Sequence, residues 1–456
     1  MKRKLYVFFL ALLPQLVAAE DGQLTLNDCL DYALAHNVAL QKDKIGIDEA
    51  VQGRKEIVGS LLPQVNASAG YTYNIQKTTI VMPNFMNSMM PEALRDPNAS
   101  KYMSVAMGMD QSANWGVSLS QQLFNASLFS ALSIAKTAEE MAELGQTADR
   151  SDVIAQTATL YYNAQVLQYA LTAFDESLSL MDRTAGVMAV NVDNGLVRKV
   201  DADRVTVAKT NLETEKMAMM QALDVQKNLL KLQMGFPMTD DIVLAPIDIE
   251  LFEQTLMDEP LTGFALGEQL PYQMIKKQQD MLVLQRKAAV GEVLPMLSLS
   301  ANYSHNYMGD HFYGDTYQHF PVSMVALNLR MPLFTGMSKK AKIRKASLAL
   351  DKAEQDEQML VQSLTMGYSS AMRQLQQNRV TIRSQKLNQQ LAEDVLGVTE
   401  SNYNEGLSPL SDVLNATTSL IQARMNYVNA LNNGMKAYID LKKADGTVGE
   451  IWKNDK

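Results

Sequence analysis

Four short stretches of the sequence alternate strictly between apolar and polar residues. Side chains of a β-strand point alternately to its two faces, so the alternation predicts strands with one apolar and one polar face. The predicted strands lie at about 64–76, 112–124, 295–307 and 322–334. Strands of about ten residues with this pattern are typical of a transmembrane β-barrel, although a half-buried strand of a soluble sandwich shows the same alternation.

Aromatic residues occur within these predicted strands. Tyr and Trp rings are favoured at the interface between membrane and water, so we expect these residues to form interfacial girdles. They are Tyr71, Tyr73, Trp115, Tyr303 and Tyr307. No run of 18 apolar residues follows residue 20, so the sequence predicts no transmembrane helix.

Most of the remaining sequence has the composition of long helices. Ala, Leu, Gln, Glu, Lys and Met dominate, and no Pro occurs between Asn125 and Phe236. Helices are predicted near 25–60, 126–193, 200–235, 263–291, 337–404 and 410–445. Gly-Leu pairs at 195–196 and 406–407 interrupt them, because a left-handed residue ends a helix.

The predicted helix lengths match within each half of the chain. The helix at 126–193 has about 68 residues and spans roughly 100 Å. Two shorter helices, with about 65 residues together, are predicted to run back along the long helix and match its length. The second half of the chain repeats this arrangement. Rods of that length do not fit a compact domain, so the sequence predicts the wall of a tube.

Blocks of similar sequence recur in the same order in both halves, which indicates an internal duplication. The paired blocks are "LLPQVNASAGYTYN" (61–74) with "VLPMLSLSANYSHN" (293–306), "WGVSLSQQLFNAS" (115–127) with "VALNLRMPLFTGM" (325–337), and "NGLVRKVDADRV" (194–205) with "EGLSPLSDVLNA" (405–416). We therefore divide the chain into a first structural repeat at 20–236, an equatorial linker at 237–262 and a second structural repeat at 263–456, with hairpin tips near 194–200 and 405–411.

The first 19 residues have the pattern of a secretory signal peptide. A basic start at 2–4 precedes an apolar run at 5–13 and small residues at 17–19. Cys29 is the only cysteine, so no internal disulfide forms. The formal net charge of −9 becomes more negative after cleavage, which argues against a nucleic-acid partner.

Four strands cannot close a barrel, and open strand edges are not tolerated in lipid. Several chains must therefore combine. Two chains would give eight strands around an interior filled by side chains, whereas three would give twelve strands and room for an aqueous lumen. An open lumen favours a homotrimer whose helices form a cylinder by coiled-coil pairing.

The chain resembles the TolC-type outer-membrane efflux family. The resemblance rests on the signal peptide, the duplicated plan, "LTLNDCLDYALAHN" (24–37) and "YNEGLSPLSDVLNATTSL" (403–420), and it covers essentially the whole mature chain. It implies a fold class that is mainly α with a transmembrane β part. That fold is a long antiparallel α-helical barrel joined to a trimeric twelve-stranded β-barrel, with four strands per protomer.

The resemblance also implies a function. We expect a passive exit duct in the outer membrane of a Gram-negative bacterium, with a long periplasmic extension. A periplasmic adaptor would join it to an inner-membrane transporter of the RND or ABC type in a tripartite efflux pump. A type I protein secretion duct and a copper or silver efflux duct are the alternatives. Besides these proteins we expect outer-membrane lipid as a partner, but no enzyme activity, cofactor or metal site.

By motif match, the resemblance locates a periplasmic aperture at the two Gly-Leu turns. Asp412 takes the position of the aperture aspartate, Asp201 is its counterpart in the first half, and Tyr403 stands where some members have a gating tyrosine. Asn415 stands where a second aspartate can occur, and Ser408 where an arginine can occur, so the ring carries less charge. An acidic first turn favoured by the helix dipole is the alternative interpretation of both aspartates.

Apolar residues at the two turns predict a contact with the adaptor, because exposed apolar tips often mark a partner site. Packing against neighbouring turns is the alternative. The predicted tip residues are Gly195, Leu196, Val197, Gly406, Leu407, Ser408 and Leu410.

Two loops between strands carry residue types that bind metals. The loop at 82–109 is rich in Met, and thioethers are soft ligands suited to Cu(I). The other loop brings His305, His311 and His319 close together in sequence. Met is common throughout the chain and surface loops vary freely, so free variation is the alternative to a metal site.

Overall fold

The computed structural model describes residues 22–195, 197–258, 260, 263–311 and 318–453, and the predicted signal peptide lies outside them. The helices are α1 (Leu26–His36), α2 (Val38–Leu61), α3 (Phe85–Met89), α4 (Ala126–Asp193), α5 (Lys199–Met234), α6 (Ile249–Asp258), α7 (Leu270–Gly291), α8 (Ser338–Asn404), α9 (Leu410–Asp445) and α10 (Gly449–Lys453). The strands are β1 (Gln64–Tyr73), β2 (Thr78–Pro83), β3 (Tyr102–Met107), β4 (Gln111–Phe124), β5 (Met296–Gly309) and β6 (Gln318–Arg330).

The chain forms two compact units. The first consists of the described residues up to 48, of 140–278 and of those from 352 onward, and the second consists of 49–139 and 279–351. Both halves of the sequence therefore contribute to both units.

The first unit has a hydrophobic core to which α9 contributes one side. Its buried residues recur every three or four positions, the spacing of one helix face. Small residues in that face allow close packing: a Cβ added at Gly434 would lie 2.7 Å from Cδ1 of Ile382. Leu431 and Leu375 are fully buried in the same core.

Two helix predictions need correction, and the predicted linker contains a helix. The predicted helix at 25–60 is two helices, because Asn37 ends α1 and its Oδ1 accepts hydrogen bonds from the N–H groups of Ala39 and Leu40. The helix predicted from 263 begins at Leu270, since Gly263 and Gly267 disfavour a helix there. The predicted linker at 237–262 contains α6, whose apolar residues Phe252 and Leu256 are buried in the core.

The second unit contains an antiparallel sheet with the strand order β1-β4-β5-β6. The register is regular: Val65 lies opposite Leu119, Leu119 opposite Ala301, and Ala301 opposite Val325. The predicted apolar positions of β1, β4 and β5 and of the second half of β6 therefore share one face, whereas Phe320, Val322 and Met324 in the first half of β6 lie on the other face. Among the described residues β1 and β6 each pair on one side only, so the sheet has two open edges.

The strand boundaries differ most from the prediction in the first and last strands. The last strand lies at Gln318–Arg330 rather than 322–334, because Pro332 lacks the N–H group that a ladder requires. The first strand ends at Tyr73 rather than 76. The segment between β1 and β4 also contains a hairpin of β2 and β3. The sequence does not predict this hairpin, because no strict alternation of apolar and polar residues marks it.

All five predicted interfacial aromatics lie on the apolar face of the sheet. The rings of Trp115 and Tyr303 contact each other edge to face, with centroids 6.0 Å apart. Tyr71 and Tyr73 lie near the end of β1 and are more than half exposed. A band of aromatic side chains therefore crosses the sheet towards one end of its strands.

No helix in the described part of the chain is both long enough and apolar enough to cross a membrane.

Candidate functional site

The two helical hairpins end in two turns, and each turn together with the start of the helix that follows it is called a tip: the first tip is residues 194–204 and the second tip is residues 405–415. Both belong to the first unit. In the first tip, Gly195 takes the left-handed conformation with φ of 71° and donates a 2.9 Å hydrogen bond to the carbonyl of Val192. In the second tip, Gly406 has φ of 75° and donates a 2.9 Å hydrogen bond to the carbonyl of Tyr403. Glycine adopts this conformation without steric cost, so both helices stop at a glycine.

Asp201 lies in the first turn of α5 and is held by two arginines of its own helix end. Arg198 Nε donates to Asp201 Oδ2 at 3.1 Å, and Arg204 NH1 donates to Asp201 Oδ1 at 3.5 Å. The side chain of Asp201 is only 15% exposed, whereas both arginines are largely exposed. The charge of Asp201 is therefore neutralised within the first tip.

Asp412 occupies the equivalent turn of α9 without such partners. Its carboxylate accepts a 3.4 Å hydrogen bond from the hydroxyl of Ser411, and no ion pair joins it to a base within the described residues. Asp412 and Asn415 are both exposed. The second tip therefore presents an uncompensated carboxylate to its surroundings.

Tyr403 lies at the end of α8 beside a cleft of about 240 Å³ between α4 and α8. Its hydroxyl contacts Sδ of Met188 at 3.6 Å. Burial, and to a smaller extent the charge of Asp201, raise the pKa of Tyr403 above its usual value. Oε1 of Glu400, which lines the same cleft, is buried without a hydrogen-bond partner. The tyrosine is therefore a neutral group packed between the ends of the two hairpins.

The apolar residues of the tips divide into exposed and packed ones. Leu407 is 72% exposed, whereas Leu410 is 7% exposed and packs in a cluster with Met188 and Val205. Val197 is half-buried against that cluster. Leu410 thus packs against the other hairpin, the alternative that the sequence leaves open, whereas Val197 packs against a cluster formed mostly by its own hairpin. Leu196 lies outside the described residues.

The residues with metal-binding potential are only partly brought together. The imidazole centroids of His305 and His319 lie 5.7 Å apart on the apolar face of the sheet, and Met82 lies opposite Met103 in the unpredicted hairpin. His311 lies beyond the end of β5. Across the described ranges, no group of three or more His, Cys, Asp and Glu side chains is arranged to hold a metal ion.

Sequence reasoning missed Arg198, Arg204, Met188 and Glu400. Arg198 and Arg204 lie three positions before and three positions after Asp201, the spacing at which side chains of a helix meet. Their contacts with Asp201 were therefore predictable from the sequence. Met188 contacts a tyrosine 215 residues away, and only the fold brings the two together.

Known proteins resemble the chain over most of its length. The family model for outer membrane efflux proteins matches residues 29–232 and 276–447. The outer membrane protein TolC of Escherichia coli (strain K12) is 23% identical over 429 residues, which cover 91% of this chain and 80% of TolC. TolC of Vibrio cholerae is 22% identical over 415 residues, which cover 91% of this chain and 87% of that protein.

Solved structures agree with the fold. The outer membrane protein VceC of Vibrio cholerae has a TM-score of 0.69 at 17% identity, with 92% of this chain and 96% of VceC covered. The CmeC outer membrane channel of Campylobacter jejuni has a TM-score of 0.73 at 16% identity, with 94% and 89% covered. The predicted fold class is confirmed: long helices form most of the chain and join a small antiparallel sheet.

Proposed function

The chain belongs to the outer membrane efflux protein family, and we propose that three copies of it form the passive exit duct of a tripartite efflux pump. Family membership makes the chain an outer-membrane protein with an exit role in efflux. In the proposal, an inner-membrane transporter of the RND or ABC type supplies the energy. A periplasmic adaptor joins that transporter to the two tips of each copy.

The observation that carries the proposal is the pair of open edges of the sheet. Among the described residues β1 and β6 expose unpaired backbone groups on their outer sides, and the sheet between them has one apolar face. Unpaired N–H and C=O groups are not tolerated in lipid, so each β6 has to pair with the β1 of another copy. Three copies supply twelve strands, the smallest multiple that leaves an aqueous lumen.

An apolar stripe on α8 supports the same assembly. Its side chains recur mostly at intervals of seven residues and are more than half exposed in the single chain. The stripe consists of Met359, Met366, Val380, Leu387, Leu391 and Val398. Seven-residue spacing is the pattern of a coiled-coil seam, so this face fits a helix of a neighbouring copy. Exposed apolar residues on α5, including Val207 and Leu232, offer a complementary seam.

The tips are the proposed contact with the adaptor. Leu407 stands exposed beside Gly406 and Ser408, and Gly195 leaves the backbone of the first tip accessible. A photo-reactive residue at Leu407 is expected to capture a periplasmic adaptor that mass spectrometry identifies. The same residue at Leu251, an exposed leucine of α6, is the control and is expected to capture none. Equal capture at both positions contradicts docking at the tip.

No observation specifically favours either alternative function, a type I secretion duct or a metal efflux duct. A type I secretion duct would use the same sheet and helices. A metal duct would be favoured by a cluster of metal ligands, and His305 with His319 supplies only two imidazoles within the described residues.

Introducing a charge into the stripe of α8 tests the proposal. We expect the purified protein to form conducting channels in planar bilayers. Leu387→Asp buries a carboxylate in the proposed seam, so it should abolish trimers and conductance. Gln254→Glu, at an exposed position of α6 outside the stripe, introduces the same charge and should leave both intact. Normal channels from Leu387→Asp would overturn the proposed helical contact.

A further inference from the structure

The polar face of the sheet is almost free of ionisable side chains. Ser, Asn, Gln, Thr and Gly occupy most of its positions, and the register aligns them across all four strands. Arg330 at the end of β6 is the one ionisable residue on this face in the four described strands. This face therefore offers hydrogen bonds to neighbouring molecules but no strong electric field.

An apolar strip interrupts that polar face. Phe320, Val322 and Met324 lie on it at every second residue of β6, directly opposite Asn306, Ser304 and Asn302 of β5. They are 40%, 42% and 56% exposed. We call these three residues the apolar strip.

The strip departs from the alternation that governs the rest of the sheet. Further along β6 the same face carries Ala326 and Asn328, while Val325 and Leu327 lie on the apolar face. In its first half, β6 is thus apolar on the face that is polar elsewhere. No strand or helix covers the strip within the described residues, although three side chains of this size bury substantial apolar area when they are covered.

We propose that the apolar strip is a contact site for amphipathic small molecules that pass through the duct. The inference rests on the proposed function, in which the polar face lines the lumen. An amphipathic molecule presents an apolar surface to Phe320 and Met324 while its polar groups bond to the Ser and Asn side chains alongside. Since the face carries almost no charge, the strip accepts cationic, anionic and neutral molecules that share an apolar surface.

The position of the strip on the edge strand adds the neighbouring copy to the site. When β6 pairs with the β1 of another copy, that strand contributes Ser68, Gly70 and Thr72 to the same polar face. The strip is then flanked on both sides by uncharged hydrogen-bonding groups. Each assembled duct holds three such strips, and each lies between two copies.

Single-channel recording with two blocking cations tests the inference. Rhodamine 6G is a cation with a large apolar surface, and hexaamminecobalt(III) is a cation with none. In the double variant Phe320→Ser/Met324→Ser, the dwell time of rhodamine 6G should fall roughly three- to tenfold, because apolar contact area is lost. The dwell time of hexaamminecobalt(III) should not change. Ala326→Ser, on the same face of the same strand, is the matched control and should change neither.

The outcomes distinguish failure of the inference about the apolar strip from failure of the proposed function as a duct. If the wild type conducts but its rhodamine 6G dwell time equals that of the double variant, the strip inference is overturned and the duct stands. If the wild type does not conduct, the proposed function fails and the inference fails with it. Val322→Thr preserves side-chain shape and provides a second variant if the double variant does not assemble; a dwell time unchanged in it would also overturn the inference.

Discussion

In the first tip, Gly195 turns the chain with φ of 71°, and Asp201 lies between Arg198 and Arg204. In the second tip, Gly406 turns the chain with φ of 75°, and Asp412 has no basic partner within the described residues. The two turns share a backbone conformation and differ in electrostatics.

Under the proposed function, the difference predicts distinct roles for the two tips. A carboxylate held by two arginines contributes little field beyond its own helix end, whereas an exposed carboxylate without a partner acts on passing ions. In a trimer, three copies of Asp412 would form the charged ring of the aperture and Asp201 would not.

Removing the charge of Asp412 should have the largest effect on ion block. Asp412→Asn is expected to weaken block by hexaamminecobalt(III) at least about tenfold, equivalent to ~1.4 kcal/mol, because three carboxylates leave the aperture. Asp201→Asn, the matched change in the other tip, should leave block almost unchanged. Single-channel titration measures both. Equal effects of the two substitutions would remove the contrast between the tips.

Replacing the turn glycines should affect both tips alike. Gly195→Ala and Gly406→Ala each force a side chain into the left-handed region, which costs about 1–2 kcal/mol. Neither added Cβ meets another atom within 4 Å, so backbone strain is the only cost. Hydrogen exchange at the ends of α4 and α8 measures the loss. Gly397→Ala, within α8, is the control and should not destabilise.

Exposing the carboxylate of Asp201 should make the first tip resemble the second. The double variant Arg198→Ala/Arg204→Ala is expected to strengthen block by hexaamminecobalt(III) roughly two- to fivefold, the range that exposed ion pairs contribute. The triple variant that also carries Asp201→Asn separates the carboxylate from the lost arginines. If hexaamminecobalt(III) blocks the triple variant as strongly as the double variant, the carboxylate of Asp201 is not responsible for the stronger block.

The smallest effect is expected at Tyr403. Because burial raises its pKa, the folded state favours the neutral phenol. The stability this provides is complete below the unfolded pKa near 10 and is lost as pH rises through the higher folded pKa. Tyr403→Phe should therefore melt within a few degrees of the wild type at pH 8 and lose less stability above pH 10. If the melting temperatures of the wild type and of Tyr403→Phe change in parallel from pH 8 to above pH 10, the raised pKa of Tyr403 is contradicted.

Long-range periodicity made most of the fold predictable. The helix predicted at 126–193 has those bounds in the structure, and the one predicted at 337–404 begins one residue later. Such helices repeat a weak preference over many residues, so single exceptions do not matter. Short elements depend on individual residues instead: Asn37 divides a predicted helix, and Pro332 ends a predicted strand four residues early.

The candidate site was predictable in part. The duplicated Gly-Leu turns marked both tips, because a glycine that ends a helix leaves a local signal. The burial of Leu410 and the contact of Tyr403 with Met188 were not readable, since both depend on how the two hairpins pack. The neutralisation of Asp201 was encoded at positions 198 and 204, where helical spacing predicts the contacts.

The most direct test of the account counts the chains in the assembled particle. In the proposal, the open edges at β1 and β6 pair with other copies, and three copies supply the twelve strands that surround an aqueous lumen. Native mass spectrometry of the protein extracted from outer membranes in mild detergent is expected to give three chain masses. A particle of one chain, or of two, would contradict the closure of the sheet by three copies.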